Sequence, residues 1–270
     1  LKASVYQIFY DADSRAKVAP GFLPLDNTRN ERPDWFEFWV ILNFLRTNPL
    51  EEGTWYGFLS PKFGEKTGFT PHDVRLVLEE YGEQADVALF TIAWDQLCYF
   101  LNPWEQGEAW HPGLTARSQS FLAHAGRDID LGTVVTDLNS SVCSNYIVAK
   151  KRFWLAWHEI AEQFFQYEEA HVKAGSTSYG SAAVQYPMKT FIQERFASLI
   201  LASGAFSVFS PDHAARAPIY ARMFPNDAAT RQLLRTCDGL KRQFRRSGER
   251  SYLDGYWNAR RQIRYTAPHG

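Results

Sequence analysis

Cysteine, methionine and net charge are scarce in this 270-residue sequence: three Cys, two Met and a formal charge of −1. Cys98, Cys143 and Cys237 lie far apart, are odd in number and form no C-x-x-C pair. They make neither a disulfide framework nor a metal-ligand spacing, and they read as reduced, buried thiols of a cytoplasmic protein. No stretch approaches the roughly 18 apolar residues of a membrane-spanning helix. A near-zero net charge argues against nucleic acid as a partner of the whole chain. There is no G-x-G-x-x-G after a strand, no G-x-x-x-x-G-K-[ST], no G-x-S-x-G and no H-E-x-x-H. These gaps count against dinucleotide-dependent dehydrogenases, P-loop enzymes, α/β-hydrolases and zincins. The chain opens on Leu1 rather than Met, inside what reads as a strand with no signal-peptide pattern, so a piece cut from a longer protein is expected.

Aromatics are abundant instead. Phe, Tyr and Trp make up 16% of the residues, nine of them Trp. Most of these rings are expected in the core; others suit the C–H faces of pyranose rings. A hydrophobic fraction of 45% and a charged fraction of 22% fit a globular protein with a core large enough to need no staples.

Residues 4–10 (SVYQIFY) read as a buried first strand, followed by a loop through Pro20, Gly21 and Pro24 to Asp26–Asn27. A helix is predicted from Pro33–Asp34, with Asp34 as N-cap and Glu37 completing a capping box, ending at Asn48–Pro49. Residues 54–60 (TWYGFLS) read as a second buried strand. Thr70–Pro71–His72–Asp73 is a strong helix start, and that helix should stop near Gly82. The apolar run 85–92 (ADVALFTI) reads as a parallel-sheet strand. Residues 133–136 and 146–149 read as strands about a turn at Asn139–Ser141. An amphipathic helix is predicted from about Lys151 to Glu169, then a flexible break over Gly175–Gly180, then one helix from Met188 to Ala202. Alternating strands and helices predict an α/β fold with a mostly parallel sheet. The domain is predicted to span 1–240. A basic tail over 241–270, interrupted by Gly248 and Gly255, reads as a solvated surface helix or a patch facing anionic lipid.

Ligands of open α/β sheets bind outside the carboxyl ends of the strands, so polar residues there are the candidates. Tyr6 and Gln7, with Asp26 and Asn27, could read a base or ribose; the alternative for Asp26 is an Asx-turn that closes the loop. Ser60 and Lys62 end the second strand, and a lysine there would neutralise a phosphate group or simply be solvated. The stretch from Asp95 to His111, interleaved with Trp104 and Trp110, carries Asp95, Glu105, Glu108 and His111, dense enough in polar groups for a carbohydrate-contacting loop. A lone His among scattered carboxylates is poor evidence for a metal site. Glu194 lies away from the main apolar face of its helix, yet its own i+3 and i+7 neighbours are Ala197 and Leu201. A partly buried carboxylate there would have a raised pKa and could act as a base; a salt bridge is the alternative.

Six blocks in a characteristic order carry a family resemblance: 34–45 (DWFEFWVILNFL), 55–63 (WYGFLSPKF), 85–90 (ADVALF), 102–114 (NPWEQGEAWHPGL), 143–157 (CSNYIVAKKRFWLAW) and 186–201 (YPMKTFIQERFASLIL). Together they resemble bacterial GT-A-like glycosyltransferases of capsule and O-antigen (lipopolysaccharide) biosynthesis. The resemblance implies a GT-A-like (Rossmann-like) fold. It also implies transfer of a sugar from a nucleotide-sugar donor to a glycan or lipid-linked glycan acceptor; the expected location is the cytoplasm, either free or, through the basic tail, peripheral at the inner face of the cytoplasmic membrane. Tyr6, Gln7, Asp26 and Asn27 would then face the nucleotide, and Ser60 and Lys62 the diphosphate. Glu105, Glu108, His111 and Asn145 would face the sugar or acceptor, and Glu194 or Asp95 would be the base. Many such enzymes hold Mn²⁺ or Mg²⁺ with Asp-x-Asp after a central strand. Here Asp11–Ala12–Asp13 follows the first strand and Ser60–Pro61–Lys62 stands at the expected place, so no metal ligand is assigned and Lys62 is expected to balance the diphosphate. The competing readings are a non-catalytic carbohydrate-binding or scaffold domain and a phosphate-handling hydrolase.

Overall fold

The computed structural model describes residues 1–171, 177–181, 184–220 and 222–268. The described strands are β1 (Ala3–Phe9), β2 (Leu23–Asp26), β3 (Trp55–Leu59), β4 (Val87–Leu89), β5 (Ile147–Lys150), β6 (Thr177–Ser181), β7 (Val184–Pro187) and β8 (Val208–Phe209). Six form one sheet in the order β2-β1-β3-β5-β4-β8, and β6 and β7 form a separate antiparallel pair. Five strands of the main sheet run the same way, and β5 runs against both of its neighbours. The fold is α/β with a mixed, mostly parallel sheet flanked by helices, in agreement with the sequence except for the reversed β5.

Period-two alternation explains why the strands read as unbroken apolar runs: both faces are covered. From β3, Tyr56 and Phe58 join one core, while Trp55 and Leu59 join the other. From β5, Ile147 and Ala149 face the first core, and Val148 the second. The first core is closed by the helices Phe36–Thr47, Leu114–His124 and Lys151–His171, through Phe38, Phe121, Trp157 and Phe164. The second is closed by Phe63–Thr67 and Pro71–Tyr81, through Phe63, Val74 and Leu78. Most of the aromatic excess is spent here. Trp154 also donates its indole N–H to the Tyr56 carbonyl at 2.9 Å, so its polar atom is satisfied while the ring is buried.

Local signals succeed where the chain can satisfy them on its own. Thr70 and Asp73 form the capping box, and the helix ends at Gly82. Asp34 does not cap: Pro33–Trp35 is a 3-10 turn, Phe36 takes φ 47°, and the Asp34 carboxylate pairs with Lys189 and Arg32. Residues 133–136 form no strand, and Leu23–Asp26 is a strand inside the predicted loop. The expected break at 175–180 is a strand from Thr177 onward; Gly175 lies outside the described residues. The predicted Met188–Ala202 helix is two helices, Met188–Gln193 and Phe196–Ala202, with Glu194–Arg195 at the joint.

The C-terminal segment is integrated. A helix runs unbroken from Ala228 to Ser247, through the predicted boundary at 240/241, and ends at left-handed Gly248. The following helix, Arg250–Arg261, folds back on it, and Gly255 lies within that helix. A Cβ at Gly255 would stand 3.3 Å from Leu240 Cδ2, so glycine permits the close approach. A third core unites Leu234, Cys237 and Tyr256 with Trp94 and Cys98 of the Trp94–Tyr99 helix. Several of the tail's cations face inward: Arg242 and Arg245 to Asp137, and Arg260 to Glu105 at 2.7 Å. Among the described residues, no helix is long and apolar enough to cross a membrane.

Candidate functional site

The chain moves from β1 to β2 on one side, then back across β1 to β3 on the other. Where the strand order reverses in this way, the loops leaving the carboxyl ends diverge and leave a crevice. A cleft of about 780 Å³ lies there, within the range of small-ligand sites. Tyr10 and Asp11 follow β1 into it, Ser60 to Lys66 follow β3, and Ile92–Ala93 follow β4. Because β5 runs the other way, its amino end, Ser144–Tyr146, meets the carboxyl ends of its neighbours in the same cleft.

Glu194 lines this cleft from the helix joint. Burial pushes its carboxyl up to about 7, against the pull of the neighbouring Arg195 and Lys66 cations, while Glu37 pushes the same way as burial. Arg195 is buried, and burial lowers its pKa. Its Nε donates to the Pro103 carbonyl at 2.7 Å, and its terminal nitrogens donate to the Phe191 carbonyl and to Gln106 Oε1 at 2.8 Å. Gln106 donates to Gln96 Oε1 at 2.8 Å, which also accepts from Trp110 Nε1 at 2.9 Å. This chain of buried dipoles forms the floor. Gly107 makes room for it, since a Cβ there would lie 2.6–2.8 Å from the guanidinium. A glycine inside a helix costs about 1 kcal/mol against alanine. Its presence in WEQGEAW was therefore a readable sign of a close approach.

Two of the three non-glycine residues with positive φ among the described residues line the cleft: Phe36 at φ 47° and Ala93 at φ 57°. Such conformations cost of order 1–3 kcal/mol and persist where the surroundings hold them, often at functional sites.

Ser60, Lys62, His111, Asn145 and Glu194 converge on the cleft as the sequence suggests. Ser60 Oγ lies 3.2 Å from the Tyr146 hydroxyl, the His111 ring stacks on Phe191 with centroids 3.6 Å apart, and Asn145 Nδ2 donates to Gln193 Oε1 at 3.4 Å. Lys17 and Lys66, overlooked in the sequence, join Lys62 at the rim, and among the described residues no ion pair engages these three lysines. Tyr10 and Glu37 also line the cleft; burial and Glu37 hold the Tyr10 hydroxyl far above its ordinary pKa.

The other candidates stand elsewhere. Tyr6 points into the first core, stacked on Phe58 at 5.7 Å. Gln7 is buried beneath the cleft: it donates to the Pro61 carbonyl at 3.2 Å and accepts from the Ala19 N–H at 2.8 Å, tying two rim loops together. Asp26 accepts from the Thr28 N–H at 2.7 Å, the Asx-turn alternative. Asp26 and Asn27 line a separate hollow of about 370 Å³, so Asp26 and Lys62 do not share a site. Asp95 is buried behind the cleft, accepting from the Tyr220 N–H at 2.5 Å, and is spent on holding that loop. Glu105 accepts from Arg260 and from the Leu101 N–H at 2.6 Å. Glu108 accepts from the Gly113 and Thr115 N–H groups at 2.6 and 2.9 Å and so secures the start of the Leu114–His124 helix. Long-range packing gives Asp95 and Glu105 structural partners that local sequence could not reveal, whereas the partners of Glu108 lie five and seven residues on.

Among the described residues, no group of three or more His, Cys, Asp or Glu side chains is placed to hold a metal ion. Asp11 reaches the cleft but is engaged as N-cap by the Ser14 N–H at 2.7 Å. No family model, curated protein or solved structure matches the chain.

Proposed function

We propose that this protein is a GT-A-like glycosyltransferase that moves a sugar from a nucleotide-sugar donor to a glycan acceptor in bacterial surface-polysaccharide synthesis. The observation that carries the reading is Glu194: a carboxylate on the wall of the switch-point cleft, with a pKa pushed up to about 7. General-base catalysis is most effective when the base titrates near the working pH. In the reaction, the acceptor hydroxyl oxygen forms its bond to the anomeric carbon as the bond from that carbon to the phosphate oxygen breaks. Glu194 takes the hydroxyl proton. Lys17, Lys62 and Lys66 at the rim balance the charge on the departing diphosphate. Gln7 acts as a positioning residue, holding the Pro61 loop that presents Lys62.

Thermal unfolding with UDP, GDP, CDP, dTDP and CMP, each with and without Mn²⁺, tests the reading. A ligand at 100 times its Kd should stabilise the fold by about 2.7 kcal/mol. No stabilisation by any of the five would sink the transferase assignment.

A further inference from the structure

Two hydroxyls on the inner wall of the cleft lack hydrogen-bond partners among the described residues: Ser144 Oγ, on a residue only 6% exposed, and Thr190 Oγ1. Leaving a buried hydroxyl unmade is costly, and native structures carry few such groups. Similar orphans occur away from the cleft, Thr54 Oγ1 among them, so the count alone decides nothing. Position does: Ser144 and Thr190 stand on two different elements, at the amino end of β5 and in the Met188–Gln193 helix. Asn145 adjoins Ser144 in sequence, and Thr190 adjoins Phe191, on whose ring His111 stacks in the same cleft. Glu194 follows Thr190 by one helical turn, and buried Arg195 underlies it. Lys17, Lys62 and Lys66 lie on the segments that follow β1 and β3.

Hydroxyls and an amide, an aromatic face and a carboxylate form a set that matches a pyranose ring: its hydroxyls serve as both donors and acceptors, and its C–H face packs on rings. We infer that Ser144, Asn145 and Thr190 form the sugar subsite of the cleft, with the ring held beside Glu194. This inference deepens the transferase reading, from which it takes the rest of the ligand, but the subsite stands on its own polar groups.

The test uses the variants Ser144→Ala and Thr190→Val, which remove a hydroxyl with little change of shape. Calorimetric titration would compare nucleotide sugars (UDP-glucose, UDP-N-acetylglucosamine, GDP-mannose), the bare nucleoside diphosphates and the methyl glycosides of the same sugars. Each variant should lose roughly three- to tenfold in affinity for a sugar-bearing ligand and less than twofold for the bare nucleotide. Without ligand, each should unfold at the same temperature as the parent or higher, because an orphan has been removed. A loss confined to nucleotide sugars assigns the subsite to the donor; a loss confined to methyl glycosides assigns it to the acceptor. If the parent binds methyl glycosides but no nucleotide, and the variants weaken that binding, the subsite holds and the transferase reading falls. Unchanged affinity for every sugar-bearing ligand, an equal loss on the bare nucleotide, or no binding of any sugar-bearing ligand by the parent overturns the inference.

Discussion

Arg195 and Lys241 are both buried cations held by backbone carbonyls, yet they sit in regions of opposite character. Lys241 is fully enclosed in the C-terminal hairpin, where its ammonium donates to the Leu97 and Phe100 carbonyls at 2.7 and 2.6 Å. These are among the last carbonyls of the Trp94–Tyr99 helix, which no intrahelical N–H can satisfy. Asp238, one turn earlier and also buried, offsets the charge and accepts the Leu138 N–H at 2.7 Å. Arg195 also reaches two carbonyls, but its neighbour in charge is Glu194, which opens on a cleft. Enclosure turns a buried cation into a clamp. Access to a cavity turns the same device into a means of tuning a neighbour. The two regions are joined, since the Trp94–Tyr99 helix clamped by Lys241 also carries Gln96 of the cleft floor.

Substitution at Glu194 should produce the largest effect. Glu194→Gln keeps the shape and removes the base, so transfer should fall by about 10²- to 10⁴-fold with the fold intact. The pH dependence follows from the sign of the shift. The folded state binds this proton more tightly than the unfolded chain, where the ordinary value is 4.5, so stability falls as pH rises from 4.5 to about 7. Activity should rise over the upper part of that range as the carboxylate ionises. Glu194→Gln should therefore be more stable than the parent above pH 7 and equal to it below pH 4.5, measured by urea unfolding.

Next comes Lys241→Ala, which should cost about 3 kcal/mol in urea unfolding, because it uncaps a helix and leaves Asp238 with less compensating charge. Its effect should be on stability, with no change in the pH at which activity rises. A shifted pH profile would break the contrast between clamp and tuner.

Gly107→Ala should cost about 1–3 kcal/mol, since the new methyl group drives Arg195 off the floor. Unlike Lys241→Ala, it should also move the pH midpoint of activity upward, because Arg195 favours the ionised form of Glu194. The smallest effects belong to the rim. Lys17→Gln, Lys62→Gln and Lys66→Gln should each weaken nucleoside diphosphate binding a few-fold, more at low salt than at high, as exposed charges do.

The elements were legible where local chemistry decides them. Thr70 and Asp73 cap a helix with groups three residues apart, and the unbroken runs at 54–60 and 85–92 mark strands buried on both faces. The alternation of strand and helix sufficed for the α/β class. Lys62 was legible because it stands just past the end of a strand, where ligands of such sheets collect, and Glu194 because it lies off the main apolar face of its predicted helix. Three things needed the third dimension. Pairing made β5 antiparallel and so brought Ser144–Tyr146 to the cleft; nothing within residues 146–149 states the direction of a neighbour. Partners as much as 155 positions away turned Glu105 into a structural anchor, and others turned Asp95 into a second, although both looked as available as Glu194. The two helices that meet at Glu194–Arg195 read as one, because the break is set by a guanidinium reaching Pro103 and Gln106. A sequence records which groups can ionise or donate. Folding decides which of them have already found a partner and which still face a ligand.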